Sequence, residues 1–166
     1  MGIFTSVNRQ LIENLSSGRY ACGNATRCRS SLEKEFQQSV NDFLYHLVWA
    51  ARKLRRGELW VATLSCDWWL KRLLLQMIEW YMHAKRGGEY DTWHEGRFVE
   101  NWADESIVNN LHSTFAHYDY SDVKSVLFST TDLYTQLARG LAESLGFQYP
   151  VQSEQFARDQ ATRALA

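Results

Sequence analysis

Five consecutive residues, Asp91-Thr92-Trp93-His94-Glu95, bring two carboxylic acids, an indole and an imidazole into one short polar stretch. An imidazole flanked by carboxylates is a donor set suited to general acid–base work, and Asp91, His94 and Glu95 are the candidates for it. Trp93 offers a flat face to a ligand or, on the plainer reading, anchors a loop. Two more acids stand out. Asp67 falls between Cys66 and Trp68 inside a strongly helical pattern, where Asp gains little from propensity. It must therefore face water, pair with Lys71 four residues on, or bind a ligand. Glu58 opens the same helix, where the macrodipole alone accounts for a negative charge.

Other chemistries lack their residues. His112 and His117 are five residues apart, a poor spacing for sharing a metal on one helical face, and no HExxH pattern accompanies them. Neither a P-loop nor a Gly-x-Ser-x-Gly elbow occurs. No metal and no cofactor is expected. The cysteines, Cys22, Cys28 and Cys66, are odd in number and have no CxxC spacing. That argues against a disulfide framework and a standard zinc site. The Arg52–Arg56 run reads as solvated charge at a helix C-terminus. With a net charge of -1, neither nucleic acid nor an anionic membrane is an expected partner.

The elements that must position these residues are helices. The chain has 166 residues, 45% hydrophobic and 22% charged, the composition of one soluble globular domain. No stretch approaches the roughly 20 apolar residues of a membrane span, and residues 1–18 lack a signal-peptide core, so cytoplasmic residence is the default expectation. Leu32, Phe36, Val40, Phe43, Leu47, Ala51 and Leu54 form an apolar stripe, capped by Ser30 or Ser31 and stopped at Gly57. A second helix runs from about Glu58 to Lys85, with Trp69 expected inward and Gly87-Gly88 ending it. Arg97–Trp102 reads as a short helix. Asp104 caps a helix to about His117 with Phe115 inward, and another runs from Ser121 or Asp122 to Gly146. Trp49, Trp69 and Trp80 read as packing residues, whereas Trp93 and Trp102 are the better candidates for a pocket wall. No hairpin signal appears. The expected fold is all-α: an antiparallel helical bundle of four main helices plus short extra ones. Residues 1–31 form an N-terminal extension with a short helix over Ile3–Leu15 and a loop over 23–31. Residues 32–150 make the bundle, and 151–166 a tail with helical character over Ser153–Ala164.

Certain strings recur in a familiar order: Glu35-Phe36, Asn41-Asp42-Phe43, Lys53 to Leu59, Leu73 to Trp80, Gly96 to Glu100, Thr114 to Tyr118 and Leu145 to Pro150. Over about residues 33–150 this series resembles the C-terminal half of the aminoglycoside 6-adenylyltransferases, the family that modifies streptomycin. The resemblance implies a helical domain of nucleotidyltransferase type and a link to antibiotic resistance. In that family a Gly-Ser turn and paired Asp residues, further N-terminal, hold magnesium and a nucleoside triphosphate, because Mg²⁺ prefers hard oxygen ligands. No Gly-Ser followed by Asp-x-Asp occurs here, and thirty residues cannot hold a five-stranded α/β domain. The chain is therefore not expected to transfer nucleotides by itself.

The resemblance further implies that the helical domain forms one wall of a drug-binding cleft. A polycationic drug calls for carboxylates and stacking aromatics. The matching positions are Glu58 and Asp67, near Trp60, Trp68 or Trp69, together with Asp91, Trp93, His94 and Glu95. The leading expectation is a non-catalytic module binding a small polar or cationic ligand or a separate nucleotidyltransferase domain. The alternative is an interaction protein that homodimerises through the face such a domain would cover.

Overall fold

A computed structural model describes the backbone over residues 25–166 and side chains from residue 29. The Ile3–Leu15 helix and Cys22 lie outside the described residues. The longest helices are α1 (Ala25–Arg55), α3 (Lys71–Arg86), α6 (Tyr120–Leu145) and α7 (Val151–Leu165). A short α2 (Leu59–Leu64) runs into α3 through a π-helical turn, Ser65–Leu70, and α4 (Val99–Trp102) and α5 (Glu105–Leu111) are minor. The fold is all-α, with no strand among the described residues. No helix among them is long and apolar enough to cross a membrane.

α1 buries the expected stripe, from Leu32 to Leu54. Gly57, at φ 75°, ends it in a left-handed turn that few side chains tolerate. Its start differs from the sequence expectation: the helix begins at Ala25, and Ser30 and Ser31 lie within it. Residues 25–31 contain no Gly or Pro to stop the helix. Arg29 is held by the end of another helix, its guanidinium donating to the carbonyls of Leu145 and Gly146 at 3.0 and 2.9 Å. Those carbonyls carry the negative end of the α6 dipole, so a cation there is favoured.

Four side chains set the register of the bundle. The Ser39 hydroxyl donates to Gln76 Oε1 on α3 at 3.3 Å and shares a 3.0 Å hydrogen bond with the Tyr134 hydroxyl on α6. One turn along α1, Phe43 stacks on the Tyr134 ring, with centroids 3.7 Å apart. α1 is antiparallel to both α3 and α6, since Arg29 meets Gly146 while Lys53 meets Glu58. α3 and α6 therefore run parallel: Lys71 lies beside Thr130, and Tyr81 against Gly140. A parallel pair cannot be joined by a tight turn, so residues 87–119 form a crossover carrying α4 and α5.

The crossover differs from expectation in two places. Trp102 is a core residue rather than a pocket wall, 3% exposed, with its indole N–H donating to the Arg97 carbonyl. The helix expected to reach His117 stops at Leu111 and tightens into a 3-10 turn, His112–Thr114. Phe115 then emerges on the surface instead of the core.

Residues 151–166 form a docked helix. Pro150 precedes it, and Ala157, Ala161 and Leu165 are buried with Glu154. Glu154 accepts hydrogen bonds from Arg139 on α6, from Arg158 and from the Tyr149 hydroxyl, all at 2.7–3.2 Å. Burial pushes this carboxyl up, but the Tyr149, Arg139 and Arg158 hydrogen bonds together outweigh it and hold it below the ordinary glutamate range. Removing the charge leaves two guanidinium groups facing a neutral amide. Arg139 is half exposed and partly screened, so Glu154→Gln is expected to cost about 3 kcal/mol in urea unfolding at neutral pH. A carboxyl with a depressed folded-state pKa contributes fully above the ordinary range and loses its contribution as pH falls through the depressed value. The wild-type urea midpoint should therefore drop on acidification more steeply than that of E154Q.

Candidate functional site

The structure spreads the six candidate residues along the helix and the crossover; it does not gather them into one pocket. Glu58 accepts hydrogen bonds from Lys53 at 2.7 Å and Arg56 at 2.8 Å, across the turn between α1 and α2. Its pKa is lowered, chiefly by the Lys53 hydrogen bond. Asp67 sits in the π-helical turn. Asp91 lies far off, because its neighbour Thr92 is anchored at His83, 3.4 Å away. His83 is sixteen residues beyond Asp67, which is roughly 24 Å along a helix axis.

The Asp91–Glu95 segment is a shaped loop. Asp91 Oδ1 accepts the Trp93 amide at 3.0 Å, and Gly96 packs its backbone on Leu75. Trp93, Glu95 and Phe98 have left-handed φ values of 50°, 56° and 56°. Each such conformation costs on the order of 1–3 kcal/mol for a non-glycine residue. Trp93 and Phe98 meet edge to face at 5.1 Å, with the Arg97 guanidinium over both rings. His94 Nδ1 and Glu95 Oε2 are 3.9 Å apart, and both side chains are mostly in water. Asp91, His94 and Glu95 make no hydrogen-bonded acid–base unit among themselves.

A larger constellation lies on the stretch of helix that carries the exposed Asp67. Trp60, Leu64 and Trp68 recur every four residues, and beside them lie Phe115 and Tyr118 from the crossover. All five are exposed, at 49–65% of their surface. Trp60 and Tyr118 meet edge to face at 6.3 Å. Together they form an exposed apolar ridge. The π turn explains how it coexists with a full core. Adding a residue to the turn lets Ala62, Cys66, Leu70 and Leu74 all stay buried while Trp68 and Trp69 swing outward. Trp69, expected in the core, is half exposed and stacks on His46 at 5.3 Å.

Beneath the ridge lies Lys71. Its ammonium is 4.9 Å from the Phe115 ring centroid, 3.3 Å from the Thr130 hydroxyl and 3.4 Å from the Cys66 carbonyl, and both oxygens accept from it. Burial lowers its pKa, against the pull of Cys66 and Asp67. Partial burial raises the Asp67 carboxyl in turn, with Lys71 opposing. At the other end of the segment, Asp122 Oδ2 accepts the His117 amide at 2.6 Å and its Nδ1–H at 2.9 Å.

Nothing in the sequence marks Leu64, Phe115 or Tyr118 as exposed apolar residues. The available signal is the second apolar repeat, Trp60-Leu64-Trp68, on the side of the helix away from Ala62-Cys66-Leu70. A helix apolar on two sides packs on one and presents the other. Among the described residues no group of His, Cys, Asp and Glu could hold a metal ion.

Cys66 reports on the sealing of this segment. Burial pushes its thiol up to about 12, so almost no thiolate is present near neutrality. Alkylation at pH 8 followed by peptide mass mapping should leave Cys66 unmodified in the native protein and modify it in urea. Rapid native labelling would show that the π turn opens.

The streptomycin adenylyltransferase family model matches residues 24–161. An aminoglycoside 6-adenylyltransferase of Campylobacter jejuni is 22% identical over 122 residues, covering 74% of this chain and 42% of that protein. The crystal structure of an aminoglycoside 6-adenyltransferase from Bacillus subtilis superposes with a TM-score of 0.72 at 18% identity, over 80% of this chain and 50% of that one. That likeness is one of fold. The chain spans less than half the length of the curated relative.

Proposed function

The chain belongs to the streptomycin adenylyltransferase family, and from that footing we propose that these residues act as a substrate-side wall for a cationic, aminoglycoside-type ligand. On this reading the module contributes binding and no nucleotidyl-transfer chemistry of its own, and a nucleotidyltransferase domain completes the cleft. The observation that carries the proposal is the exposed ridge of Trp60, Leu64, Trp68, Phe115 and Tyr118, with Asp67 exposed between Leu64 and Trp68 on the same stretch of helix. Aromatic faces attract cations through their quadrupoles, and a carboxylate beside them fixes position. Lys71 over Phe115 is an internal instance of the same recognition. An open ridge suits half of a composite cleft better than a self-contained pocket, which would enclose its ligand.

The test is calorimetric titration of streptomycin into the protein. Binding is expected, and the W60A/W68A double variant should weaken it about tenfold, the loss of two partly solvated cation–aromatic contacts. Because both indoles are exposed, the variant should keep its urea midpoint. Absence of heat with the wild-type protein would remove the proposal.

A second reading, homodimerisation, draws on a separate surface. The groove between α1 and α7, about 460 Å³, is lined by Leu44, Tyr45, Val48, Phe156 and Ala157 together with the polar Asn41, Gln152 and Ser153. Light scattering giving a monomer mass at every concentration would eliminate this reading.

A further inference from the structure

We propose that Lys71 is the positioning residue of the ridge: its ammonium holds the Phe115 ring in place and so orients the crossover half of the wall toward a cationic ligand. This role rests on the ridge being a ligand wall, and it names the group that assembles it. Trp60, Leu64 and Trp68 stand on the helix, whereas Phe115 and Tyr118 arrive from the crossover. Phe115 leaves the 3-10 turn in extended backbone, φ -110° and ψ 127°, and most of its ring is exposed. A ring so exposed gains little from burial, so something else must hold it. Tyr118 has its tie in the Trp60 ring. For Phe115 the tie is Lys71, whose Nζ lies 4.9 Å from the ring centroid.

Lys71 is itself fixed. Its ammonium donates to the Cys66 carbonyl in the π turn and to Thr130 Oγ1 on α6, a fully buried residue. One cation on α3 therefore joins the π turn, α6 and the crossover. Filling space does not account for a lysine here. An apolar side chain of the same length would occupy the position without desolvating an ammonium, a cost visible in the pKa that burial lowers. What the charge adds is its pull on the Phe115 face. The next residue gives the contrast: the Arg72 guanidinium lies over Trp68, four residues back on the same stretch of helix, and that contact links no second element.

Streptomycin binding, read by calorimetry at neutral pH, is the first test. Lys71→Met removes a positive charge, which by Coulomb's law alone would strengthen the binding of a cation. It is expected instead to weaken binding about threefold, the scale of one exposed cation–aromatic contact. Lys71→Arg keeps the cation and should restore the affinity. In a Phe115→Ala background K71M should have no further effect, because the ring through which it acts is gone. The ligand-free wild type gives a separate readout. Its Lys71 Hε resonances should lie upfield of those of an ordinary lysine, with NOEs to the Phe115 ring. Ordinary Hε shifts without those NOEs overturn the clamp. Unchanged or tighter binding by K71M, or an equal loss from K71M with and without the Phe115 ring, overturns the positioning role and leaves the wall standing. No binding by the wild type removes the wall, and the role resting on it, even where the NOEs are present.

Discussion

The register lock between α1, α3 and α6 is the constraint on which the rest of the molecule depends. Ser39 joins Gln76 and Tyr134, and Phe43 lies flat on the Tyr134 ring. Hydroxyl groups in a closely packed interior tolerate little sliding, because a misplaced partner leaves a buried polar atom unsatisfied. With α1 antiparallel to two helices at once, those two must run parallel. A crossover must then return the chain, and it is this crossover that lays Phe115 to Tyr118 along the outside of α2. The ridge is thus a consequence of topology as much as of local sequence.

Within that frame the π turn separates two demands on one helix. An uninterrupted α-helix with this sequence would carry Trp69 toward the core along with Cys66 and Leu70. The extra residue in the Ser65–Leu70 turn moves the paired indoles outward while Leu74 and Met77 continue the buried stripe. Lys71, the first residue after the turn, then lies inward enough to be desolvated, with a hydroxyl, a carbonyl and an aromatic ring around its ammonium.

Much of this is legible in the sequence. The Leu32–Leu54 stripe, the glycine stops at Gly57, Gly87 and Gly146 and the all-α class follow from periodicity and backbone chemistry alone. The start of α1 is not legible, because it depends on Arg29 finding carbonyls more than a hundred residues away. Nor is the fate of Phe115, which a 3.6-residue repeat places inside and a tightened 3-10 turn turns out. The π turn has no propensity signature, so periodicity alone puts Trp69 in the core. Trp102 reads as a loop residue because its buried partner, the Arg97 carbonyl, belongs to the backbone and leaves no mark in a side-chain pattern. Of the candidate acids, Asp67 lies on the ridge, while Asp91 and Glu95 belong to a separate loop two or more turns further along α3.

The distribution of charge picks out the acids that build the fold. Glu58, Asp104 and Glu154 each engage two cations: Lys53 and Arg56, Lys85 and Arg86, Arg139 and Arg158. Each pins a joint, respectively the α1–α2 turn, the root of the crossover, and the seat of α7. An acid so committed has little potential left to offer a cationic ligand, since its field is already neutralised at contact distance. Asp67 has one cation beside it, Lys71, whose charge opposes the rise that burial gives its pKa, and Asp119 is spent on capping α6. Cations of the chain itself lie over two of the exposed rings, Lys71 over Phe115 and Arg72 over Trp68, whereas at the joints the cations meet carboxylates.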